Sequence, residues 1–313
     1  MTTSLQNNPL IRLGTRRSPL AMAQAHEARA RLCSAHGWDE GAVELVPVVA
    51  GGDKVQDRPL ADLGGKALWT RELDAWLAEG RIDAAVHSLK DVETIRPPEI
   101  ALGAILQRAD RRDVLLGASS VATIPQGARL GTSAPRRAAQ MQNLRPDIEV
   151  VLFRGNVATR MAKLQAGEAD VTLLAAAGLE RLGEEGVGTP LELEDWLPAP
   201  SQGAIGIECR SGDAQTREML AAIDHAPSAA EVMAERMLLE ALDGTCHSPV
   251  GMLAQLDGGR INLKAALFSA DGGERVDGSV AVAPGDTQAI RAFGADLLGR
   301  ATPGIAALFS GKA

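Results

Sequence analysis

A stretch near the start of the chain is repeated further along it. Residues 12–19 read Arg-Leu-Gly-Thr-Arg-Arg-Ser-Pro, and residues 129–137 read Arg-Leu-Gly-Thr-Ser-Ala-Pro-Arg-Arg. The shared Arg-Leu-Gly-Thr recurs 117 positions later (129 − 12), and an alanine-rich helical pattern follows each copy. Each copy therefore predicts a strand, a tight turn and a helix with proline in its first turn, the position where a helix tolerates proline best.

The repeat extends beyond this motif. A β-rich run over 43–50 has a counterpart over 148–153, and a helical pattern over 68–79 has one over 157–166. Each helical pattern ends in Gly-x-x-Asp, at Gly80 and at Gly167, before a short apolar run. Three matches in the same order indicate an internal duplication. Strands that alternate with helices predict βαβ units, so we expect two similar α/β lobes with mainly parallel sheets and a cleft between them.

Polar residues follow the strand predicted over 82–86. They are His87, Ser88, Lys90 and Asp91. Ligands of open α/β sheets bind outside the carboxyl ends of the strands, so this cluster lies where chemistry is expected. Taken alone, a carboxylate beside an ammonium group is equally consistent with an ordinary surface pair.

Arginine dominates the cationic residues. Of 32 Lys and Arg residues, 6 are lysine and 26 arginine. A GC-rich genome would also produce this bias, so position must decide its meaning. The arginines fall in turns at predicted strand ends: Arg16 and Arg17 in the first lobe, and Arg136, Arg137, Arg154 and Arg160 in the second. Guanidinium groups bind carboxylates and phosphates in a bidentate manner, and the chain has no Walker-type loop, so we expect a ligand with several carboxylates.

Composition excludes several classes of function. A net charge of −8, eight aromatic residues and no tyrosine argue against a nucleic-acid binder. We expect no membrane span, because no apolar run reaches about 18 residues, and the first residues do not resemble a secretory signal. Three widely spaced cysteines suit a reducing cytoplasm. The histidines and cysteines lack metal-ligand spacing, so no metal is expected.

The last third of the chain has its own pattern. After a proline-containing linker over 193–202, a buried strand over 204–209 is predicted to return to the first lobe. A helix over 231–242, antiparallel strands over 253–282 and a helix over 288–298 predict a small α+β domain. Cys246 lies in a loop between Gly244 and Pro249, where a thiol is accessible as a nucleophile or a covalent tether. Cys33 and Cys209 are interpreted as small buried hydrophobes. A Cys246–His247 dyad is not favoured, because adjacent side chains in an extended loop point apart.

Over nearly its whole length the chain resembles the porphobilinogen deaminases, also called hydroxymethylbilane synthases. The motifs that carry the resemblance are Gly14-Thr15-Arg16-Arg17-Ser18-Pro19-Leu20, Gly64-Gly65-Lys66, Val86-His87-Ser88-Leu89-Lys90-Asp91-Val92, Gly131-Thr132-Ser133, Arg136-Arg137, Phe153-Arg154-Gly155-Asn156-Val157-Ala158-Thr159-Arg160, Ala177-Gly178-Leu179-Glu180-Arg181-Leu182-Gly183, Gln202-Gly203-Ala204-Ile205-Gly206-Ile207-Glu208-Cys209-Arg210 and the loop around Cys246. So many segments in family order are a specific signal.

The resemblance implies a fold and a reaction. The fold is two periplasmic-binding-protein-like (type II) α/β domains plus a small C-terminal α+β domain, at residues 10–104 with 204–222, 108–198 and 226–313. The enzyme is a transferase of porphyrin, tetrapyrrole and haem biosynthesis. It joins four porphobilinogen molecules head to tail on a covalently bound dipyrromethane primer, releasing ammonia each time and finally hydroxymethylbilane. A cytoplasmic monomer that binds neither nucleic acid nor membrane is expected.

The resemblance also implies residue roles. Asp91 is the catalytic acid and counter-ion, and Cys246 carries the dipyrromethane through a thioether. The other residues implied to bind this cofactor are Lys90, Ser88, Thr132, Ser133, Arg136, Arg137 and Asp91 itself. Those implied to bind substrate are Arg16, Ser18, Arg154, Arg160, Arg181 and Gln202.

The chain departs from the family pattern at several positions. They are Ala134 for Ser, Asp62 for Lys, Gly51 for a basic or polar residue, Glu93 for Pro, Ser201 for Gly, Thr245 for Gly and Ser248 for Val. The predicted catalytic residues are intact, so activity is expected. Two alternatives stay open from sequence: a non-catalytic two-lobed carboxylate-binding protein, and a degenerate deaminase.

Overall fold

The computed structural model describes residues 9–48 and 70–309. These residues form two five-stranded sheets and one three-stranded sheet, each with its own hydrophobic core. This mixed α/β architecture confirms the predicted fold class. The exact residue boundaries of the three domains stay a prediction.

The first lobe is built around the sheet β2-β1-β3-β10-β4. Its strands and helices are β1 (Ile11–Arg16), α1 (Pro19–His36), β2 (Val43–Val48), α2 (Arg71–Ala78), β3 (Ala84–Ser88), β4 (Ile100–Ile105), β10 (Ile205–Arg210) and α6 (Ala214–Ala221). Strands β2, β1 and β3 are parallel, and β10 runs antiparallel to both of its neighbours. Helix α1 starts as predicted, because Ser18 Oγ accepts a hydrogen bond from the Ala21 amide and Pro19 lies in the first turn.

The second lobe repeats this arrangement in the sheet β7-β6-β8-β5-β9. Its elements are β5 (Asp113–Leu116), β6 (Arg129–Thr132), α3 (Pro135–Leu144), β7 (Glu149–Leu152), α4 (Val157–Gln165), β8 (Val171–Ala175), α5 (Ala176–Arg181) and β9 (Thr189–Pro190). Strands β7, β6 and β8 are parallel, and β5 is antiparallel to β8 and β9. The predicted duplication thus appears as two sheets of equivalent order.

The duplication reaches individual side chains. Arg12 forms an ion pair with Asp83 at 2.8 Å in the first lobe, and Arg129 forms one with Asp170 at 3.1 Å in the second. In both lobes the arginine amide also donates to the same carboxylate, at 2.9 Å and 2.7 Å. The repeated aspartate after Gly-x-x therefore joins β1 to the start of β3 in the first lobe and β6 to the start of β8 in the second.

Each lobe is completed by a strand from a segment that crosses between the lobes. Strand β10 follows the second lobe in the chain but lies between β3 and β4, so the predicted return of residues 204–209 to the first lobe is confirmed. Strand β5 follows the first crossover and occupies the equivalent place in the second sheet. Residues of both crossovers therefore lie between the two lobes.

The C-terminal unit packs three helices against an antiparallel sheet. Its elements are α7 (Ala226–Ala241), β11 (Val250–Asp257), β12 (Arg260–Phe268), β13 (Arg275–Val282), α8 (Thr287–Arg300) and α9 (Pro303–Ala306). Short 3-10 turns occur at Glu40–Ala42, Leu89–Asp91, Val121–Thr123 and Ala307–Phe309. Buried Arg108 of the first crossover binds both carboxylate oxygens of Glu235 on α7 at 2.9 Å, which ties this unit to the lobes.

Candidate active site

A recess in the first lobe opens at the carboxyl ends of β1 and β3. Arg16, Ser18, Gln24, Ser88 and Asp91 are among the residues that line it. Two of the predicted site residues, Arg16 and Ser18, come from the first repeat motif. Ser88 is the last residue of β3, and Asp91 comes from the 3-10 turn after it. Parallel strands end at the same sheet edge, which is why residues over seventy positions apart in sequence meet here.

Gln24 orders the wall of this recess. Its amide group donates to Ser88 Oγ at 2.8 Å, and Ser88 Oγ lies 3.0 Å from Gln24 Oε1. Gln24 is buried in helix α1. The Ser88 hydroxyl at the end of β3 is therefore held in place by a side chain of the neighbouring helix.

The Leu89–Asp91 turn presents two charged groups beside each other. Leu89 is buried, and its amide donates to the Ala204 carbonyl at 3.1 Å, which fixes the turn against the second crossover. Desolvation lowers the pKa of Lys90 to about 8, with Asp91 and Asp113 acting to raise it and Arg137 and Arg136 to lower it. Lys90 therefore lies within electrostatic reach of charged groups from both lobes.

Arg136 and Arg137 share one buried carboxylate. Asp113, at the start of β5, accepts from Arg136 Nη2 at 2.8 Å and from Arg137 Nη2 at 2.6 Å. Burial would raise the pKa of the Asp113 carboxyl, but the two guanidinium groups hold it well below its usual range. Trp196 Nε1 also donates to Asp113, at 2.8 Å. The two predicted cofactor-binding arginines are thus fixed in place by one ionised group.

Gln202 is attached to the same carboxylate. Its Nε2 donates to Asp113 Oδ1 at 3.0 Å and to the Arg111 carbonyl at 2.8 Å. Since both acceptors face Nε2, the orientation of the amide is determined, and Oε1 is directed elsewhere. Gln202 is buried. The second crossover therefore brings a predicted substrate-binding residue to the arginine pair.

Arg154 and Arg160 extend the cationic surface at the start of α4. Arg154 is buried, and Arg160 Nε donates to the Gly155 carbonyl at 3.0 Å. Desolvation lowers the pKa of Arg160 to about 10, with Arg137 and Arg154 contributing in the same direction and Asp91 opposing them. Because Asp91 belongs to the first lobe, the predicted catalytic carboxylate is within electrostatic reach of a second-lobe arginine.

Thr132 and Ser133 form the turn between β6 and α3. Thr132 is buried, and its Oγ1 accepts from the Ala134 amide at 3.1 Å. Ala134 is the N-cap of α3 and makes no side-chain cap hydrogen bond. The departure from the family serine thus removes a hydroxyl from the helix start that carries Arg136 and Arg137.

Arg181 lies at a contact between the lobes. Its Nε donates to Glu27 of α1 at 3.1 Å, and its Nη2 donates to the Gly203 carbonyl at 3.2 Å. The side chain is 9% exposed. These contacts join α5 to the first lobe and to the second crossover, so Arg181 has partners distinct from the Asp113 cluster.

Cys246 is exposed in the loop after α7. Although the residue as a whole is accessible, desolvation of the thiol and the negative charges of Asp91 and Glu93 raise its pKa to about 11. Desolvation lowers the pKa of the neighbouring His247, while Asp91 opposes that shift. The structure therefore brings the predicted tether within electrostatic reach of the predicted catalytic acid.

Two departures from the family pattern support each other in this loop. Ser248 Oγ accepts from the Thr245 amide at 3.0 Å, and Thr245 Oγ1 accepts from the His247 amide at 3.2 Å. Glycine and valine would provide neither acceptor. Ser201, the family glycine before Gln202, has a φ of 62°. Gly51, Asp62 and the Gly64-Gly65-Lys66 motif lie outside the described residues.

The donor set fits a dipyrromethane, which carries acidic side chains and ring N–H groups. The predicted site residues supply arginine, lysine and hydroxyl donors from both lobes. Two buried polar atoms, Arg137 Nε and Gln202 Oε1, have no hydrogen-bond partner among the described residues. The first is a donor suited to a carboxylate, and the second is an acceptor suited to a pyrrole N–H. Burial without a partner is costly, so both atoms favour a polar ligand at this position.

Sequence reasoning missed Asp113 and Gln24. Asp113 opens the apolar run Asp-Val-Leu-Leu of β5, where a charged residue looks like the polar boundary of a strand. Its one signal was the position of a carboxylate at the start of a fully buried strand. Gln24 sits within the alanine-rich pattern of α1, and nothing in its spacing distinguishes it from other polar helix residues.

Membrane-spanning helices and metal-binding clusters are both absent from residues 9–48 and 70–309. No helix in these ranges is long and apolar enough to cross a membrane. No group of three or more His, Cys, Asp or Glu side chains within them could hold a metal ion.

Family models match most of the chain. "Porphobilinogen deaminase, dipyromethane cofactor binding domain" matches residues 11–218, and "Porphobilinogen deaminase, C-terminal domain" matches residues 229–292. A porphobilinogen deaminase of Sphingopyxis alaskensis is 58% identical over 310 residues, covering 97% of this chain and 98% of that protein. One of Paracoccus denitrificans is 47% identical over 270 residues, covering 85% of this chain and 86% of that protein. The periplasmic VFT2 domain of Bordetella pertussis BvgS aligns with a TM-score of 0.40 at 14% identity, covering 68% of this chain and 86% of that domain.

Proposed function

The chain belongs to the porphobilinogen deaminase family, and from this premise we propose how its own residues carry out the family reaction. The reaction condenses four porphobilinogen molecules head to tail and yields hydroxymethylbilane. In each addition the aminomethyl C–N bond breaks and ammonia leaves. A C–C bond then forms between the methylene carbon and the α-carbon of the preceding pyrrole, which loses its proton. The chain is thus an enzyme, and we assign it to the transferases.

One observation carries the assignment of roles. Asp91, which lines the recess with Arg16 and Ser18, lies within electrostatic reach of both Cys246 and Arg160, since its charge acts on the pKa of both groups. A tether, an acid and a carboxylate-binding cation are the three groups that the reaction needs in one place. They come from the C-terminal unit, the first lobe and the second lobe respectively.

The arginines hold the carboxylates of a growing chain. Each porphobilinogen adds an acetate and a propionate, so the negative charge increases with every addition. Arg136 and Arg137, fixed by Asp113, bind carboxylates with their remaining donors, as Lys90, Ser88, Thr132 and Ser133 do around the cofactor. The residues that bind the substrate and its products are Arg16, Ser18, Arg154, Arg160, Arg181 and Gln202.

Asp91 acts twice in each addition. As an acid it protonates the departing amino group, and as an anion it then stabilises the cation that remains on the substrate. The recess that Asp91 shares with Arg16 and Ser18 supports this role, with Arg16 binding the carboxylates of the incoming porphobilinogen. The dipyrromethane, when bound, supplies the pyrrole carbon on which the chain begins.

Cys246 provides the attachment point through a thioether. Because its pKa is about 11, the sulfur is a protonated thiol at neutral pH. Forming the C–S bond breaks an aminomethyl C–N bond, releases ammonia and requires a base for the S–H proton. Asp91 and Glu93 are both in electrostatic reach of the sulfur, so either carboxylate can accept this proton. We place this activity in the cytoplasm and in a monomer, with domain boundaries as the sequence predicts them.

Intact-mass measurement tests the assignment. Protein from cells that make porphobilinogen should carry a covalent adduct of two pyrrole units, and Cys246→Ser should lack it. Cys33→Ser is the matched control and should keep the adduct. An unmodified mass for the wild-type chain would instead support a carboxylate-binding protein or a degenerate deaminase.

A second variant, Asp91→Asn, distinguishes the role of Asp91 as the acid from that of Cys246 as the attachment point. Asp91→Asn should fold and carry an adduct where the wild type does, but lose turnover by about two orders of magnitude or more, as expected for loss of a general acid. Near-normal turnover of Asp91→Asn would remove Asp91 from its proposed role.

A further inference from the structure

The segment that follows Asp91 is held from two sides. Val92 is buried against the first lobe and α7, and residues 92–96 lead away from the turn. Two arginines bind this segment: Arg96, which belongs to it, and the buried Arg236, which belongs to the C-terminal unit. Neither residue was predicted to have a role.

Arg96 anchors the segment to the first lobe. Its guanidinium binds both carboxylate oxygens of Glu208 on β10, at 2.8 Å and 2.9 Å, and Glu93 at 2.9 Å. It also binds Asp74 of α2. Glu93 replaces the family proline, so this chain has a charged group where the usual residue could form no ion pair. The side chains of residues 93–96 thus connect three parts of the first lobe.

Arg236 anchors the backbone of the same segment to α7. Its Nη2 donates to the carbonyls of Glu93 at 2.6 Å and Thr94 at 3.3 Å, and its Nη1 donates to that of Val92 at 3.3 Å. The residue Arg236 is buried, with 8% of its surface exposed. Its backbone partners begin one residue after Asp91. Helix α7 itself ends at Ala241, five positions before Cys246.

We propose that Arg236 is a positioning residue that sets the spacing between Asp91 and Cys246. It lies on the helix that leads into the cysteine loop and binds the backbone next to the catalytic turn. One rigid helix and one guanidinium therefore connect the tether to the acid. This inference rests on the proposed roles of Asp91 and Cys246.

The spacing between Asp91 and Cys246 affects how readily the Cys246 thiol ionises, which can be measured. Asp91 and Glu93 both act on Cys246, and His247 is the titratable group beside it in the loop. If Arg236 no longer holds residues 92–94 against α7, the two carboxylates move away from the thiol. Its thiolate then becomes easier to form, and the thiol reacts faster with an electrophile at a given pH.

The experiment uses the full-length chain made in cells that cannot synthesise porphobilinogen. Alkylation of Cys246 by iodoacetamide is followed from pH 7 to about pH 11, with peptide mass spectrometry to separate it from Cys33 and Cys209. In Arg236→Met the alkylation profile should move to lower pH by roughly half a unit, which corresponds to an about threefold faster reaction at pH 8. Arg236→Lys keeps the charge but has fewer hydrogen-bond donors, so its alkylation profile should also move to lower pH, by a smaller amount.

The control is Arg291→Met, the same substitution at an exposed arginine of α8 that lies 3.8 Å from Glu240 of α7. It should keep the wild-type profile. Porphobilinogen is then added to each chain, and the fraction carrying the two-pyrrole adduct is measured. This fraction should fall several-fold in Arg236→Met and remain unchanged in Arg291→Met.

The proposal would be overturned if every folded variant at position 236 kept the wild-type alkylation profile. If Arg236→Met does not fold, the profile of Arg236→Lys alone decides the question. Failure of the proposed function looks different. The wild-type chain would then take up no adduct, while the alkylation profiles would still decide whether Arg236 sets the environment of Cys246.

Discussion

Asp113 shows how a single residue prepares a binding site for anions. Its four donors, from Arg136, Arg137, Trp196 and Gln202, saturate one buried carboxylate. The two arginines are held without being fully neutralised, because two guanidinium charges face one carboxylate. The excess positive charge and the remaining N–H donors are available to a ligand.

Removal of the Asp113 charge should therefore destabilise the protein. Asp113→Asn leaves two buried guanidinium groups without a counter-ion, and loss of one partner of a buried ion pair costs about 3 kcal/mol. The free energy of unfolding from urea titration should fall by about that amount. Trp196→Phe is the control, because it removes one hydrogen bond to Asp113 but keeps the carboxylate.

A loss in Asp113→Asn no larger than that in Trp196→Phe would show that the charge of Asp113 contributes nothing. The adduct should also be reduced in Asp113→Asn, since Arg136 and Arg137 lose their fixed orientation.

Lys90 should give the reaction an alkaline limit. Its pKa of about 8 means that the ammonium is charged below that pH and neutral above it. Binding of carboxylates by Lys90 is thus present at neutral pH and lost as the pH rises through about 8. The profile of kcat/KM, which reports the free enzyme, should fall across this range.

Lys90→Gln provides the comparison. It should lower kcat/KM at pH 7 and remove the fall near pH 8, because no group at position 90 titrates. If Lys90→Gln kept the same alkaline limb as the wild type, another group would be responsible for it.

The residues that sequence predicted are those in turns at strand ends, where motif and topology agree. Arg136 and Arg137 follow the repeated Gly-Thr turn, and the structure places both of them on Asp113. Asp113 and Arg236 could not be predicted, because their partners are distant in sequence and no local pattern marks either charge as buried. A sequence pattern shows where a chain turns, but it does not show which buried charged side chains pair with each other.

At the scale of single elements, helix ends decide how well sequence predicts structure. Helix α1 was predicted from Ser18 and Pro19, which are its cap and first turn. Helix α7 was predicted from residue 231 but begins at Ala226, five residues earlier. The reason is its unusual cap, since His225 Nδ1 accepts from the Ser228 amide and Pro227 lies in the first turn.

Helix α3 should be stabilised by a hydroxyl at its cap. Ala134 has extended backbone angles, φ −97° and ψ 114°, which suit an N-cap. Serine in that conformation accepts a hydrogen bond from the first turn, and the gain over alanine is about 1 kcal/mol. Ala134→Ser should therefore raise the free energy of unfolding in urea by about that amount.

Ala158→Ser is the matched control for this change. It places the same side chain in the first turn of α4, whose cap Asn156 already accepts from the Thr159 amide at 2.9 Å. No gain is expected there. Equal stability of Ala134→Ser and wild type would mean that the α3 cap position gains nothing from a hydroxyl.

On the scale of the whole molecule, the duplication was the most predictable feature. The order and spacing of the repeated motifs gave two equivalent lobes, and the Arg12–Asp83 and Arg129–Asp170 pairs show that the repeat is physical. The contacts between lobes, such as Arg181 with Glu27, were not predictable. They depend on the relative placement of two folded units, which no local pattern encodes.

The site as a whole should be less stable without its adduct. Arg136, Arg137, Arg154, Arg160 and Lys90 crowd one region, and the carboxylates of a bound dipyrromethane would neutralise them. The Tm of Cys246→Ser should thus lie several degrees below that of the adduct-bearing wild type. Added salt should narrow the gap by screening the repulsion.

His247→Ala is the control, as it alters the same loop but keeps the sulfur and should retain both the adduct and the wild-type Tm. Equal Tm values for Cys246→Ser and the loaded wild type would show that the cations do not repel one another appreciably.

The position of β10 has a consequence for how the chain becomes a protein. This strand comes from residues 205–210 yet separates β3 from β4, which were synthesised about a hundred residues before it. During synthesis on the ribosome, the sheet of the first lobe lacks the strand between β3 and β4 until the whole second lobe has emerged. The first lobe of this enzyme is therefore begun first but completed only after the second lobe has been made, and a nascent chain released before β10 would expose two unpaired strand edges.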